Sequence, residues 1–162
     1  MISYKRSINI LKKSKIRIGD EILKVTDCLN RVSSNNIFSK VDNPADNNAA
    51  FDGYVINSKD TKNLNKKKNK LFKILGTIAA GDKSINKKFK KFQTFEIMTG
   101  SIIPKGFDTI IPVEQAVFYP NKKRPEYIVI DKKIKKYQHI RFKGSDFKKN
   151  DLLVKKGSIL QP

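Results

Sequence analysis

The chain has 162 residues, of which 38% are hydrophobic and 31% charged, with a formal net charge of +20. That length supports one domain or two small ones around a real core, and no apolar run approaches the roughly 18 residues that span a bilayer. A single cysteine, Cys28, rules out a disulfide or a multi-cysteine metal site within these residues, and a single histidine, His139, rules out a His-based metal cluster.

The N-terminal segment MISYKRSINILKKSK has no apolar stretch followed by a small-residue cleavage site, so a reducing, cytoplasmic setting is expected. Ser3 can cap a first helix, with Tyr4, Ile8 and Leu11 along one apolar face and a break at Ile18-Gly19-Asp20. Ile22, Leu23 and Val25 read as a short strand, in preference to the start of a second helix continuing through Leu29 and Val32. A short helix follows, capped by Thr26 or Asp27 and ending near Ser33, with Cys28 as a small buried thiol. From Ile37 onward the pattern is β. Asp42 to Asn48 is turn-forming, and Pro44 biases Asn43 away from helix. Asp52-Gly53 is the next turn element, followed by the apolar run Tyr54-Val55-Ile56. A lysine- and asparagine-rich loop over 61–70 precedes a strand carrying Leu71, Ile74 and Ile78, which ends at Ala80-Gly81-Asp82.

The densest chemistry lies between Glu96 and Glu114. An apolar run ends at Thr99-Gly100, and a turn follows at Pro104-Lys105-Gly106. Proline at the second position and glycine near the exit suit a type I turn. Further strands are expected at 109–113, 116–119 and 127–130, with Pro112 marking a strand edge or bulge and Pro120-Asn121 a turn. Short strands set off by turns complete the tail. The fold class that results is mainly β with short N-terminal helices.

The lysines fall in short clusters scattered along the sequence, with few arginines to form bidentate forks. This reads as a solvated surface that steers small anionic ligands, and nucleic acid is not the expected partner. No glycine-rich nucleotide loop is present. What remains is oxygen chemistry: Asp52, Asp108, Glu114 and Asp146 near turns, with the hydroxyls and amides of Thr99-Gly100-Ser101. Carboxylates with hydroxyls suit Mg²⁺, which keeps several waters and bridges to phosphates.

Four ordered motifs carry a family resemblance. Asp42-Asn43-Pro44 through Asn48-Ala49-Ala50-Phe51-Asp52-Gly53-Tyr54-Val55 is similar to a D-x-P…S-A-M-D-G-Y-A signature. Ile78-Ala79-Ala80-Gly81 is similar to I-x-A-G. Glu96-Ile97-Met98-Thr99-Gly100-Ser101 with Pro104, Gly106, Asp108 and Glu114 is similar to R-I-M-T-G-A-x-x-P-x-G-A-D. Arg141 with Gly144-Ser145-Asp146 is similar to R-x-x-G-x-D. Together they resemble the N-terminal region of the molybdopterin molybdenumtransferases, the family that includes MoeA and the gephyrin E domain.

The resemblance implies a cytoplasmic homodimer that inserts molybdate into adenylylated molybdopterin, with Mg²⁺ and release of AMP. It implies an elongated, discontinuous β-rich domain (residues 1–45 and 138–162) that contributes most of the dimer contact, and an inserted β-barrel-like domain (46–137). It assigns Asp52 and Thr99 to the active-site cleft: Asp52 to position molybdate or the metal, Thr99 to hydrogen-bond an oxyanion. Gly100, Ser101 and Asp146 are candidate substrate-binding residues. The family's molybdopterin-binding and C-terminal domains have no counterpart in this sequence, so the chain alone is expected to be inactive, with the missing parts supplied in cis or in trans. Phe51, Asn48, Val55, Glu96 and Phe107 depart from the family's usual Met, Ser, Ala, Arg and Ala. Two other readings stand beside this one: a basic β module that binds nucleic acid through Phe89, Phe92 and Phe95, and a scaffold that keeps the fold without the chemistry.

Overall fold

Gly53–Ile56 and Thr109–Pro112 are buried at every position, as their short, unbroken apolar runs predict. In the computed structural model, which describes residues 2–14 and 18–161, these two runs lie side by side in a six-stranded sheet. The strands in chain order are β1 (Ile37–Phe38), β2 (Asn48–Ala49), β3 (Gly53–Ile56), β4 (Lys70–Ile78), β5 (Gln93–Ile97), β6 (Thr109–Pro112), β7 (Val117–Tyr119), β8 (Tyr127–Ile130), β9 (Ile140–Arg141) and β10 (Leu152–Val154). One α-helix, α1 (Tyr4–Lys13), is present among the described residues, so the protein is mainly β.

The sheet runs in the order β6-β3-β5-β4-β8-β7 and curls into half a barrel. All its pairings are antiparallel except β4 with β5. Side chains alternate between its two faces. Tyr54 and Ile56 join Phe72, Ile111 and Ile128 on one side, whereas Val55 joins Ile78, Phe95, Ile97 and Ile110 on the other. Pro112 ends the edge strand β6, where its missing N–H costs no ladder bond.

The chain divides into two compact units, Met1–Phe38 with Leu152–Pro162, and Ser39–Asp151. In the first, β1 pairs with β10, and Val32 bridges Ile159. The hydroxyl of Ser3 accepts the Arg6 N–H, capping α1 as expected. The helix ends at Lys13, where both the amide and the hydroxyl of Ser14 donate to the Ile10 carbonyl. The predicted break at 18–20 is non-helical, and the three residues before it lie outside the described set. No residue of α1 is buried among the described residues: on its predicted apolar face Tyr4 and Leu11 are exposed and Ile8 is half-buried.

Two local expectations fail in this unit. Ile22, Leu23 and Val25 form no strand. They find no ladder partner, and a strand without one is not stable. The helix expected to begin at Thr26 or Asp27 is a single 3₁₀ turn over Val25–Asp27, following Lys24. Cys28 is half-buried rather than buried, its thiol donating to the Lys24 carbonyl.

In the second unit the Pro104 turn also differs from expectation. The Phe107 N–H donates to the Pro104 carbonyl, which makes Pro104 the first residue and Gly106 the third. Gly106 has φ +97°. A positive φ at the third position belongs to a type II turn, which favours glycine there.

Candidate functional site

The sheet register brings two of the predicted site residues together. Gly53 at the start of β3 pairs with Ile97 at the end of β5. The residue before β3 and the turn after β5 therefore meet at one end of the sheet. There the backbone N–H of Thr99 donates to Oδ1 of Asp52 at 2.6 Å, and the Thr99 hydroxyl donates to the same oxygen at 2.7 Å. Both residues are exposed. These bonds, the hydroxyl's first and the amide's second, hold the Asp52 carboxyl below the ordinary aspartate range, because they favour its charged form.

Met98-Thr99-Gly100-Ser101 is itself a turn. The Ser101 N–H donates to the Met98 carbonyl at 3.0 Å, and Gly100 at the third position has φ +84°. Glycine relieves the steric cost of that conformation. The turn is pinned from two sides. Gly100 N–H donates to the Ala49 carbonyl, and Ala49 N–H donates to the Ser101 carbonyl, both at 2.9 Å. Ser101 is fully buried, and its hydroxyl donates to the Ile78 carbonyl at 3.1 Å, which also accepts the Met98 N–H. Three sequence motifs, 49–53, 78–81 and 98–101, thus converge on one turn.

This arrangement decides what the turn can offer a ligand. The amides of Thr99, Gly100 and Ser101 are all engaged within the fold, and the Thr99 hydroxyl hydrogen is directed to Asp52. Both bonds to Asp52 fall on Oδ1. The site therefore presents an ionised carboxylate with Oδ2 uncommitted among the described residues, beside a hydroxyl oxygen that can still accept. Such a face suits a cation or a proton donor better than a bare oxyanion.

Asp146 is placed elsewhere in the same unit. It pairs with Arg141 and accepts from the Asn43 side-chain amide at 3.2 Å, and its own N–H donates to the Asn43 carbonyl. The fourth motif is thereby tied to residues 42–48 of the first rather than to the Asp52–Thr99 pair. Gly144 has φ +67°, and its N–H donates to the Pro44 carbonyl. Of the remaining carboxylates, Asp108 accepts from the amide and hydroxyl of Ser58 at 2.7 and 3.0 Å, a structural role. Glu114 is exposed in a 3₁₀ turn. No group of three or more metal-ligating side chains forms among the described residues. A metal cage built wholly by this chain does not fit the donors present. A water-rich Mg²⁺ held by one carboxylate does fit, because Mg²⁺ commonly takes one or two carboxylates and fills its shell with water and substrate oxygens.

Residues 2–162 match the family described as the MoeA N-terminal region, domains I and II. The chain belongs to the MoeA family. Molybdopterin molybdenumtransferase of Staphylococcus epidermidis is 27% identical over 156 residues, which is 96% of this chain and 36% of the relative. The enzyme of that name from Staphylococcus aureus is 29% identical over 134 residues, 83% of this chain and 30% of the relative. The crystal structure of the molybdopterin biosynthesis MoeA protein from Pyrococcus horikoshii OT3 superposes with a TM-score of 0.86 at 26% identity. It covers all of this chain and 41% of that one. The chain thus spans roughly a third of the length of the curated relatives it matches.

Within the MoeA frame, three of the departures from the family pattern find local partners. Phe107 is buried against Phe89 and Phe95, with ring centroids 5.0 and 6.0 Å away, so its bulk belongs to an aromatic core. Glu96 accepts from the Thr77 hydroxyl across the β4–β5 pair. Phe51 packs edge-to-face on His139, centroids 5.0 Å apart, and the His139 carbonyl accepts the Ala50 N–H. His139 therefore neighbours the segment leading to Asp52, a placement that no spacing in the sequence announces.

Proposed function

We propose that this MoeA-family chain supplies one wall of the cleft in which molybdate is inserted into adenylylated molybdopterin, with release of AMP, in a cytoplasmic homodimeric enzyme. The observation that carries the reading is the Asp52–Thr99 pair, held at the meeting point of three family motifs. Names of relatives that cover most of this chain support the transferase class.

In this reading Asp52, through its free Oδ2, would hold Mg²⁺. Bound Mg²⁺ would neutralise charge shared by phosphate and molybdate oxygens. Thr99 acts as a positioning residue: its two donors keep Asp52 ionised and fix its rotamer. Gly100 and Ser101 shape the turn, Ser101 from the buried side, and Asp146 orders the flanking motif. The division into residues 1–45 with 138–162 and an insert at 46–137 belongs to this reading. So does the homodimer, supported by the uncovered apolar side chains of Tyr4, Leu11, Ile22 and Val25. The short coverage of the relatives supports the further point that groups outside these 162 residues complete the cleft.

The test is complementation of a cell lacking its own molybdenumtransferase. Supplied together with the groups that complete the cleft, the chain carrying Asp52→Asn should fail to restore molybdenum-cofactor-dependent activity where the unaltered chain succeeds, and full restoration would overturn the role of Asp52. The purified 162 residues should release little AMP from adenylylated molybdopterin. Rapid release would overturn the need for further groups.

A further inference from the structure

Nine of the lysines that look scattered along the sequence are gathered by the fold. A cavity of about 1110 Å³ in the second unit is lined by the turn around Lys59 and Lys62, the start of β4, the loop 86–92 and the Pro104 turn. Half of its lining residues are lysines, contributed by segments far apart in sequence, against one acid, Asp60. The Asp60 carboxylate is already engaged, accepting the Phe92 N–H at 3.1 Å. The cavity shares no lining residue with the Asp52–Thr99 site.

So many like charges around one concavity repel one another, and a polyanion relieves that repulsion while releasing its own counterions. Lysine ammoniums are compact point charges, suited to phosphates along a backbone rather than to bidentate reading of bases. Two half-buried rings line the cavity, each with an ammonium over it: Lys70 Nζ lies 5.8 Å from the centroid of Phe92, and Lys87 Nζ 5.7 Å from that of Phe89. A base can stack where an ammonium now sits. The surface is concave and receives a ligand, whereas readers of duplex grooves insert a protruding element. We infer that this cavity is a sequence-independent binding site for single-stranded nucleic acid, independent of the transferase reading.

The test is fluorescence anisotropy with a labelled oligouridylate of about 12 nucleotides, within the length range such sites cover. Two variants lose the same charge: Lys87→Gln, Lys88→Gln, Lys90→Gln and Lys91→Gln together, and Lys122→Gln, Lys123→Gln, Lys148→Gln and Lys149→Gln together. All eight side chains are exposed, and unchanged melting temperatures verify that both variants fold. The first variant should lose about tenfold or more in affinity and flatten the log–log salt slope by about 3, as expected for four lost phosphate contacts to a single strand. The second should change affinity less than about threefold. Equal losses in both variants would reduce the binding to net charge and overturn the site. Equal or tighter binding of a duplex of the same length, or of polyglutamate, would overturn its assignment to single-stranded nucleic acid.

Discussion

Thr99 gives both of its donors to one oxygen of Asp52, across 47 residues of sequence. The consequence is electrostatic and steric at once. The carboxylate stays ionised below its ordinary range and cannot rotate freely, while its second oxygen remains available.

Removing the hydroxyl separates the two donors. Thr99→Val keeps the amide bond and the side-chain volume but deletes the hydroxyl bond that does most to lower the Asp52 pKa. The Asp52 carboxyl should titrate at higher pH in the variant, followed by carbon NMR of the side chain. The folded-state pKa is depressed, so this group's contribution to stability is present above the unfolded value of about 4 and is lost as pH falls through the folded value. Thr99→Val should therefore weaken the fall in stability on acidification below about pH 4. An unchanged Asp52 titration would show that the hydroxyl bond does not operate in solution.

Gly53, the glycine after Asp52, is required by a close approach. A Cβ there would lie 2.1 Å from the Ile111 carbonyl oxygen and 2.9 Å from the Pro112 Cα, both backbone atoms of β6. Neither strand can yield without breaking the β3–β6 register. Gly53→Ala should cost about 3 kcal/mol or more, measured by urea unfolding, at the upper end for overpacking. A loss near zero would mean that β6 does not lie against β3 at this point.

Phe107 stands where the family has alanine, so its ring can be tested as an added core element. Phe107→Ala should destabilise the protein by about 3 kcal/mol, because Phe89 and Phe95 lose a partner and leave a cavity. Refilling the space from the neighbour, by Phe89→Trp in the same background, should recover part of the loss.

Much of this architecture was legible in the sequence because its cues are local. Ser3 marks a helix start, and the runs at 54–56, 109–113 and 127–130 mark strands, the second of which ends one residue early, at Pro112. Pairing is not local, and the misses follow from that. Ile22 to Val25 had the composition of a strand but no neighbour to pair with. The Pro104 turn starts one residue later than its sequence suggests, because its type is set by the Phe107-to-Pro104 bond and the positive φ of Gly106. At the site, Asp52 and Thr99 were both visible as turn-borne oxygen groups, but their union depends on Gly53 facing Ile97 across the sheet. The gathering of lysines from 59 to 105 around one cavity was invisible for the same reason.

Ser101 shows how placement separates residues that sequence treats alike. Its hydroxyl stands beside that of Thr99 in the motif, yet Thr99 is exposed and Ser101 fully buried. The hydroxyl of Ser101 donates to Ile78, which holds the 78–81 segment against the turn. Ser101→Ala leaves the Ile78 carbonyl one partner, the Met98 N–H, so the buried acceptor is not orphaned. The cost should be about 1 kcal/mol, the usual worth of one intramolecular hydrogen bond, measured by urea unfolding. Because the hydroxyl faces the interior, Mg²⁺ binding measured by calorimetry on the same protein should be unchanged. Thr99→Val, by contrast, should weaken Mg²⁺ binding while costing little stability, because its bond lies at the surface. A Ser101→Ala variant that keeps its stability and loses Mg²⁺ affinity would move Ser101 from the support of the turn to the ligand itself.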